Sequence, residues 1–213
     1  MDAVSQLPPR RSYHHGDLRQ ALLNAGVALA QEGGPEAVVL REATRRAGVV
    51  PNAAYRHFAS RDALLQAVRA SALSALALAM ERELSRAERA GGQVDVARAS
   101  LRAIGTAYLR FARTQPGLFR TAFTVAADPE SALNPDATGR SGLNPFQLLG
   151  VALDRLVQAG VLPPERRPGA EYVAWSSVHG LAMLALEGPL RRLSRGQVRP
   201  IEQRLLAMVE QGL

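Results

Sequence analysis

The sequence contains no cysteine. Disulfides and thiolate metal sites are therefore excluded, nothing points to an oxidising compartment, and a cytoplasmic location is expected. Lysine is absent too: all 26 basic residues are arginine, set against 19 acidic residues for a net charge of +7. Residues 1–18 lack the apolar core of a signal peptide. Long hydrophobic runs are also missing. The longest uncharged stretch, Tyr172–Leu186, has 15 residues, short of the roughly 20 that span a bilayer, so a soluble protein with no membrane partner is expected. There is no phosphate-cradling glycine loop, no H-E-x-x-H and no nucleophile elbow. Ser176 and His179 lie one helical turn apart, but no carboxylate near them in sequence completes a triad. An enzyme is not expected, nor is any cofactor. The adjacent His14 and His15 have no carboxylate or cysteine partners, so no metal site is expected.

Strand-like alternation is missing as well, whereas helical spacing recurs throughout, which predicts an all-α fold. A first helix is predicted from Asp17, with Gln20 as its capping-box partner and Leu18, Leu22, Ala25 and Leu29 as its apolar stripe, stopped by Gly33-Gly34-Pro35. A second carries Leu40, Ala43, Thr44 and Ala47 at i, i+3, i+4 and i+7 and ends at Gly48, which readily takes the left-handed conformation. A third begins at Pro51, favourable at the first helical position, and runs to Phe58. A fourth opens after Ser60 and extends towards Glu83, long enough to connect two bodies. Further helices are predicted at about 94–115, 144–160, 169–188 and 197–211, with a shorter piece, LFRTAFTVAA, after Gln115-Pro116-Gly117. Residues 128–142 hold the densest turn chemistry and read as an exposed loop.

Two short helices joined by a glycine-containing turn, at 40–47 and 51–58, match the spacing of a helix-turn-helix. On a wheel started at Pro51, Ala54 and Phe58 fall on the anchoring side, while Asn52, Ala53, Arg56 and His57 face the other. That polar face suits a major groove: Asn pairs with adenine, Arg with guanine, and an Ala methyl meets a thymine methyl. Tyr55 and His57 sit at its flanks, where phosphate oxygens would lie. The bland reading is a solvated two-turn helix in an unrelated helical protein. Charge favours the groove: between residues 39 and 61, Arg41, Arg45, Arg46, Arg56 and Arg61 face Glu42 alone. Ahead of the first helix, Arg10 and Arg11 stand on an arm that suits either a minor groove or a solvated tail.

The stretch LREATRRAGVVPNAAYRHFASRDALL resembles the DNA-binding domain of the TetR family of transcriptional regulators, the Y-x-H-F ending of the third helix and the following Ser-Arg-Asp-Ala-Leu being the specific part. The resemblance implies a flexible basic arm at 1–16, a three-helix helix-turn-helix domain at 17–60, and a larger helical ligand-binding and dimerisation domain at 61–213. It makes Asn52, Ala53 and Arg56 base-facing and Tyr55, His57 and Arg61 phosphate-contacting, and puts Arg41 near the groove edge. Two features depart from the family pattern. Val39 and Val50 replace the usual Ser or Thr caps, a loss worth about 0.5–2 kcal/mol each, and Thr44 stands where Ala is commonest.

In the C-terminal part, Trp175, His179 and Met183 recur at i, i+4 and i+8 beside Gly180, and AEYVAWSSVHGLAMLALEGPL resembles the WHG-type C-terminal domain of one branch of that family, as YHHGDLRQALL does its first helix. The stripe suits a pocket wall in which indole and imidazole orient a ligand. It equally suits packing in the core or between subunits. Tyr108, Phe111, Phe119, Phe123 and Phe146 are further pocket candidates. The resemblance implies a homodimer that binds palindromic operator DNA as a repressor and leaves it when a small-molecule inducer binds. The alternative is a constitutive architectural DNA-binding protein without an inducer.

Overall fold

The computed structural model describes residues 15–88, 91–123 and 134–213. Among them every regular element is helical: α1 His15–Gly33, α2 Leu40–Ala47, α3 Pro51–Tyr55, α4 Arg61–Ala87, α5 Gln93–Thr114, α6 Pro116–Ala122, α7 Pro145–Gln158, α8 Ala170–Leu186 and α9 Arg195–Gly212. The arm residues Arg10 and Arg11, together with His14, lie outside the described residues, as do 128–133 of the expected loop.

The first three helices form a small head. Leu22 and Leu29 of α1, Leu40 and Ala43 of α2, and Ala54 with Phe58 after α3 are all buried in it. Gly48 ends α2 with φ 67°, the left-handed conformation its position after the last apolar contact requires. Helix α3 is shorter than expected because the chain must turn into α4. His57 N–H and Phe58 N–H both donate to Ala54 O at 2.9 Å, tightening the last turn, and Ser60 is already extended at φ −149° as the N-cap of α4, its hydroxyl accepting from Ala63 N–H. At the start of α1, Gln20 donates to Asn24 (2.9 Å), and the helix begins two residues earlier than predicted.

Helix α4 joins head and body. Leu64 and Val68 press against Gly26 of α1, where a methyl group would overlap the Val68 side chain, while Leu76, Met80 and Leu84 enter the core of the body. It is long and apolar enough by composition to cross a membrane. Its buried Leu64, Val68, Leu76 and Met80 instead make it the central helix of both parts.

Pro116 does not only end α5; it is the first residue of α6. Gly117 lets α6 abut the C-terminal end of α1, since a methyl group there would overlap the carbonyl oxygens of Ala30 and Gln31. The described half of the expected exposed loop, 134–142, is pinned to α4. Glu81 accepts the N–H groups of Arg140 (3.0 Å) and Ser141 (2.9 Å) and the Ser141 hydroxyl (2.6 Å), and Ser74 donates to Thr138 O at 2.7 Å. Turn composition signalled irregular backbone; the carboxylate that ties it down lies about 60 residues earlier and leaves no local signal.

Candidate nucleic-acid interface and ligand cavity

The head presents its polar residues outward. Asn52, Tyr55 and Arg56 are exposed and Ala53 and His57 half-exposed, while Ala54 and Phe58 are buried at 0% and 3%. The wheel drawn from Pro51 thus has the right phase. Arg19 of α1 lies over the Phe58 ring at 5.4 Å and closes the anchoring side. Neither Val39 nor Val50 makes a side-chain cap. Thr44 is buried, but its hydroxyl donates to Arg41 O at 2.6 Å, so no polar group is stranded.

The arginines around this face divide into two sets. Glu42 accepts from Arg45 (2.7 Å) and Arg46 (3.1 Å), and Arg46 also bonds Glu32 (2.7 Å). The Arg45 and Arg46 guanidiniums hold the Glu42 carboxyl down to about 2. Arg41 and Arg56 are exposed and make no ion pair among the described residues. Arg61 is tied down within the chain while its side chain stays 44% exposed. Its Nε donates to Val38 O (2.9 Å) and a terminal nitrogen to Pro35 O (2.8 Å), fastening the turn between α1 and α2. Both carbonyls lie more than 20 residues upstream, so spacing could not reveal the bond.

Within the body, a cavity of about 340 Å³ lies between α4, α5, α6, α7, α8 and α9. Four of the sequence candidates line it: Tyr108, Phe123, Phe146 and Trp175. The other four do not. Phe119 is fully buried behind the wall, edge-on to Tyr108 with ring centroids 5.3 Å apart. Phe111 is buried elsewhere on α5, and Met183 packs half-buried on the core. His179 also stands behind the wall, where its Nδ1 is 2.7 Å from the Tyr108 hydroxyl. Trp175 Nε1 donates to that same hydroxyl at 3.1 Å. Burial pushes the Tyr108 phenol up despite the Trp175 bond and holds the His179 imidazole below its ordinary value. Ser176 donates to Val173 O (3.1 Å), so Ser176 and His179 are not assembled as nucleophile and base.

Sequence reasoning passed over Arg69, which also lines the cavity and donates Nε to Ala122 O at 3.0 Å, linking α4 to α6. A signal was available: Arg69 is the one charged residue between Asp62 and Glu81. Arg102 lines the cavity too. With Arg98 it pairs with Glu210, whose side chain is almost wholly buried.

A helix-turn-helix head fused through a shared helix to a hollow helical body defines a DNA-binding transcriptional regulator. Residues 22–68 match the family described as bacterial regulatory proteins, tetR family, and residues 101–209 match the tetracyclin repressor-like C-terminal domain. The chain belongs to the TetR family of transcriptional regulators. No curated protein matches the sequence. Among solved structures, a protein of unknown function from Rhodococcus sp. RHA1 is similar at 26% identity, with 96% of this chain and 99% of that one covered and a TM-score of 0.71. A TetR family transcription regulator from Marinobacter aquaeolei VT8 is similar at 24% identity (91% and 93% covered, TM-score 0.61). The transcriptional regulator FadR from Bacillus subtilis, solved in complex with stearoyl-CoA, shares the fold at 12% identity (91% and 98% covered, TM-score 0.66).

Proposed function

We propose that the protein is a cytoplasmic homodimeric repressor that binds a palindromic operator through residues 17–60 and leaves it when a small molecule fills the cavity in residues 61–213. The cavity carries this reading. It is mostly apolar, has a few convergent polar groups, and falls within the size range of small-molecule sites. The Bacillus subtilis regulator of the same fold was solved with stearoyl-CoA bound, which supports reading such a body as a ligand receptor.

The route to the head runs through elements that touch both sites. Arg69 of α4 and Phe123, just past α6, line the cavity, and α6 abuts α1 at Gly117. A ligand that favours a displaced α4 or α6 shifts the spacing of the two recognition helices in a dimer, and operator affinity falls by its differential affinity for the two states. Asn52, Ala53 and Arg56 read bases in this scheme, Tyr55, His57 and Arg61 hold phosphates, and Arg41 reaches the groove edge.

Selection of bound fragments from genomic DNA tests the first half. The recovered fragments are expected to share an inverted repeat, and neighbouring genes then suggest ligands for operator titrations. A compound shown to occupy the cavity should weaken operator binding at least tenfold. Occupancy with no change in affinity would overturn the ligand-responsive reading and favour a constitutive architectural DNA-binding protein.

A further inference from the structure

Trp175, Tyr108 and His179 form a chain of hydrogen bonds that starts on the cavity wall and ends behind it. Trp175 and Tyr108 face the cavity. His179 is wrapped by rings, stacked on Phe119 at 5.8 Å and edge-on to Phe123 at 5.1 Å. Trp175 fixes one direction, since an indole N–H only donates. Between Tyr108 Oη and His179 Nδ1, 2.7 Å apart, either neutral tautomer of the imidazole is compatible with a bond, and the separation is an ordinary one for a hydroxyl donor. Burial disfavours the imidazolium. A neutral His179 can thus accept from Tyr108, which accepts in turn from Trp175.

A phenol hydroxyl has one donor and two acceptor positions. In that arrangement the donor goes to His179 and one lone pair to Trp175, and the single N–H of Trp175 is committed to Tyr108. What remains for the cavity at this point is one lone pair on Tyr108 Oη, set in a mostly apolar wall. We infer that Tyr108 donates to His179, and that the cavity favours a mostly apolar molecule carrying a hydroxyl or N–H group that donates to the remaining lone pair of Tyr108, a preference His179 sets by accepting the Tyr108 hydrogen bond. The inference rests on the cavity being the effector site. Its volume of about 340 Å³ suits a compact two-ring scaffold and not a long chain with a large headgroup. A ligand that only accepts hydrogen bonds meets a lone pair opposite its own and loses affinity for that reason.

Calorimetric titration without DNA, using 4-hydroxybiphenyl, 4-methoxybiphenyl and biphenyl, tests the inference. The wild type is expected to bind the phenol about five- to tenfold tighter than either other compound, the margin of one net hydrogen bond. Tyr108→Phe should bring the phenol and biphenyl level. His179→Phe keeps a ring against Phe119 but removes the acceptor, freeing the Tyr108 proton to donate into the cavity. The methyl ether should then gain on the phenol. His179→Gln restores an acceptor and should return part of the original preference, which a purely packing role for His179 would not do. Circular dichroism confirms that each variant is folded. Equal affinities of the wild type for all three compounds would sink the inference and leave the effector cavity standing. Failure to bind any of them would sink the inference and also count against the cavity as a site for ligands of this size. An unchanged phenol preference in folded His179→Phe would remove His179 from the role.

Discussion

Arg56 and Arg61 stand close together in sequence with like charge, yet the fold gives them separate work. Arg56 is exposed with no ion pair among the described residues, whereas Arg61 is bonded to the carbonyls of Val38 and Pro35. Arg61→Ala is therefore expected to lower stability by about 1–3 kcal/mol, the range for hydrogen bonds made by a charged group, and, as a proposed phosphate contact, to lower the salt slope of DNA binding by about one. Arg61→Lys should not rescue the stability, because one ammonium cannot reproduce the planar two-carbonyl geometry. Thermal melts and operator titrations across a salt series measure both effects. For Asn52→Ala and Arg56→Ala the expected change is in sequence preference, about 1–3 kcal/mol at one base-pair position each if the contact is bidentate. A binding profile over a randomised operator that is unchanged in both variants would show that another element reads the bases. The outward set at 52–57 was readable from the sequence because it follows from a local period anchored by Ala54 and Phe58. The partners of Arg61 were not, since they lie across the fold.

Helices α4 and α6 touch both the head and the cavity, and their boundaries, with those of α8, show what a periodic pattern conveys. Apolar spacing found α2 and nearly all of α5, α7 and α8 to within a residue or two. The same reasoning took Pro116 as the end of one helix when it also begins the next. It had no means of seeing that Gly117 sits against α1. That contact gives an element-scale prediction. In Gly117→Ala the new methyl group overlaps the Ala30 and Gln31 carbonyls, which are backbone and cannot rotate away. The variant should lose about 1–3 kcal/mol, as overpacked sites do, and operator affinity should fall with it, because α1 supports the recognition segment. On α8, burial holds the His179 imidazole below its ordinary value. Its contacts are Tyr108 from α5, Phe119 and Phe123 from the α6 segment, and Trp175 from its own helix, and only Tyr108 among these titrates. With the folded value depressed, the unfolded chain binds more protons below about pH 6.5. The His179 contribution is thus fully present above that pH and is lost as the pH falls towards the folded value. Stability measured by denaturant between pH 5 and 8 should show a steeper acid-side loss in wild type than in His179→Gln.

At the scale of the whole molecule, the remaining question is which surface makes the pair that an operator of two half-sites needs. Six residues of α7, Phe146, Leu148, Leu149, Val151, Leu153 and Leu156, form an apolar run that by composition alone suits an interface. The fold buries Leu148, Leu149, Leu153 and Leu156 in its own core and leaves only Phe146, which also lines the cavity, and Val151 partly exposed, at 37% each. A one-dimensional pattern counts apolar residues on a helix but not how many neighbours the chain itself supplies. What α7 lost, α8 provides: Tyr172, Val173 and Leu184 are 64%, 55% and 45% exposed, in line with Ser176 and Gly180. Phe146 and Tyr172 touch, with ring centroids 5.4 Å apart, so the two helices offer one continuous face. Such a patch of large apolar side chains around small residues is suited to close helix packing across a two-fold axis. Gly180 gives the cleanest test of it. A β-carbon there meets nothing within 4 Å in the single chain, so Gly180→Leu is expected to leave the protomer intact and, by helix propensity, not to weaken α8. Any defect it causes belongs to the partner contact. Sedimentation should find a dimeric wild type and a weakened Gly180→Leu dimer with unchanged helix content. Operator titrations should show affinity for an inverted repeat, its half-sites about one helical turn or slightly more apart, falling in step with dimerisation. An undisturbed mutant dimer would move the interface to another face. A monomeric wild type that still holds its site at nanomolar concentration would refute the paired reading altogether, because one recognition segment as short as 51–58 contacts too few base pairs to select a site among genomic competitors.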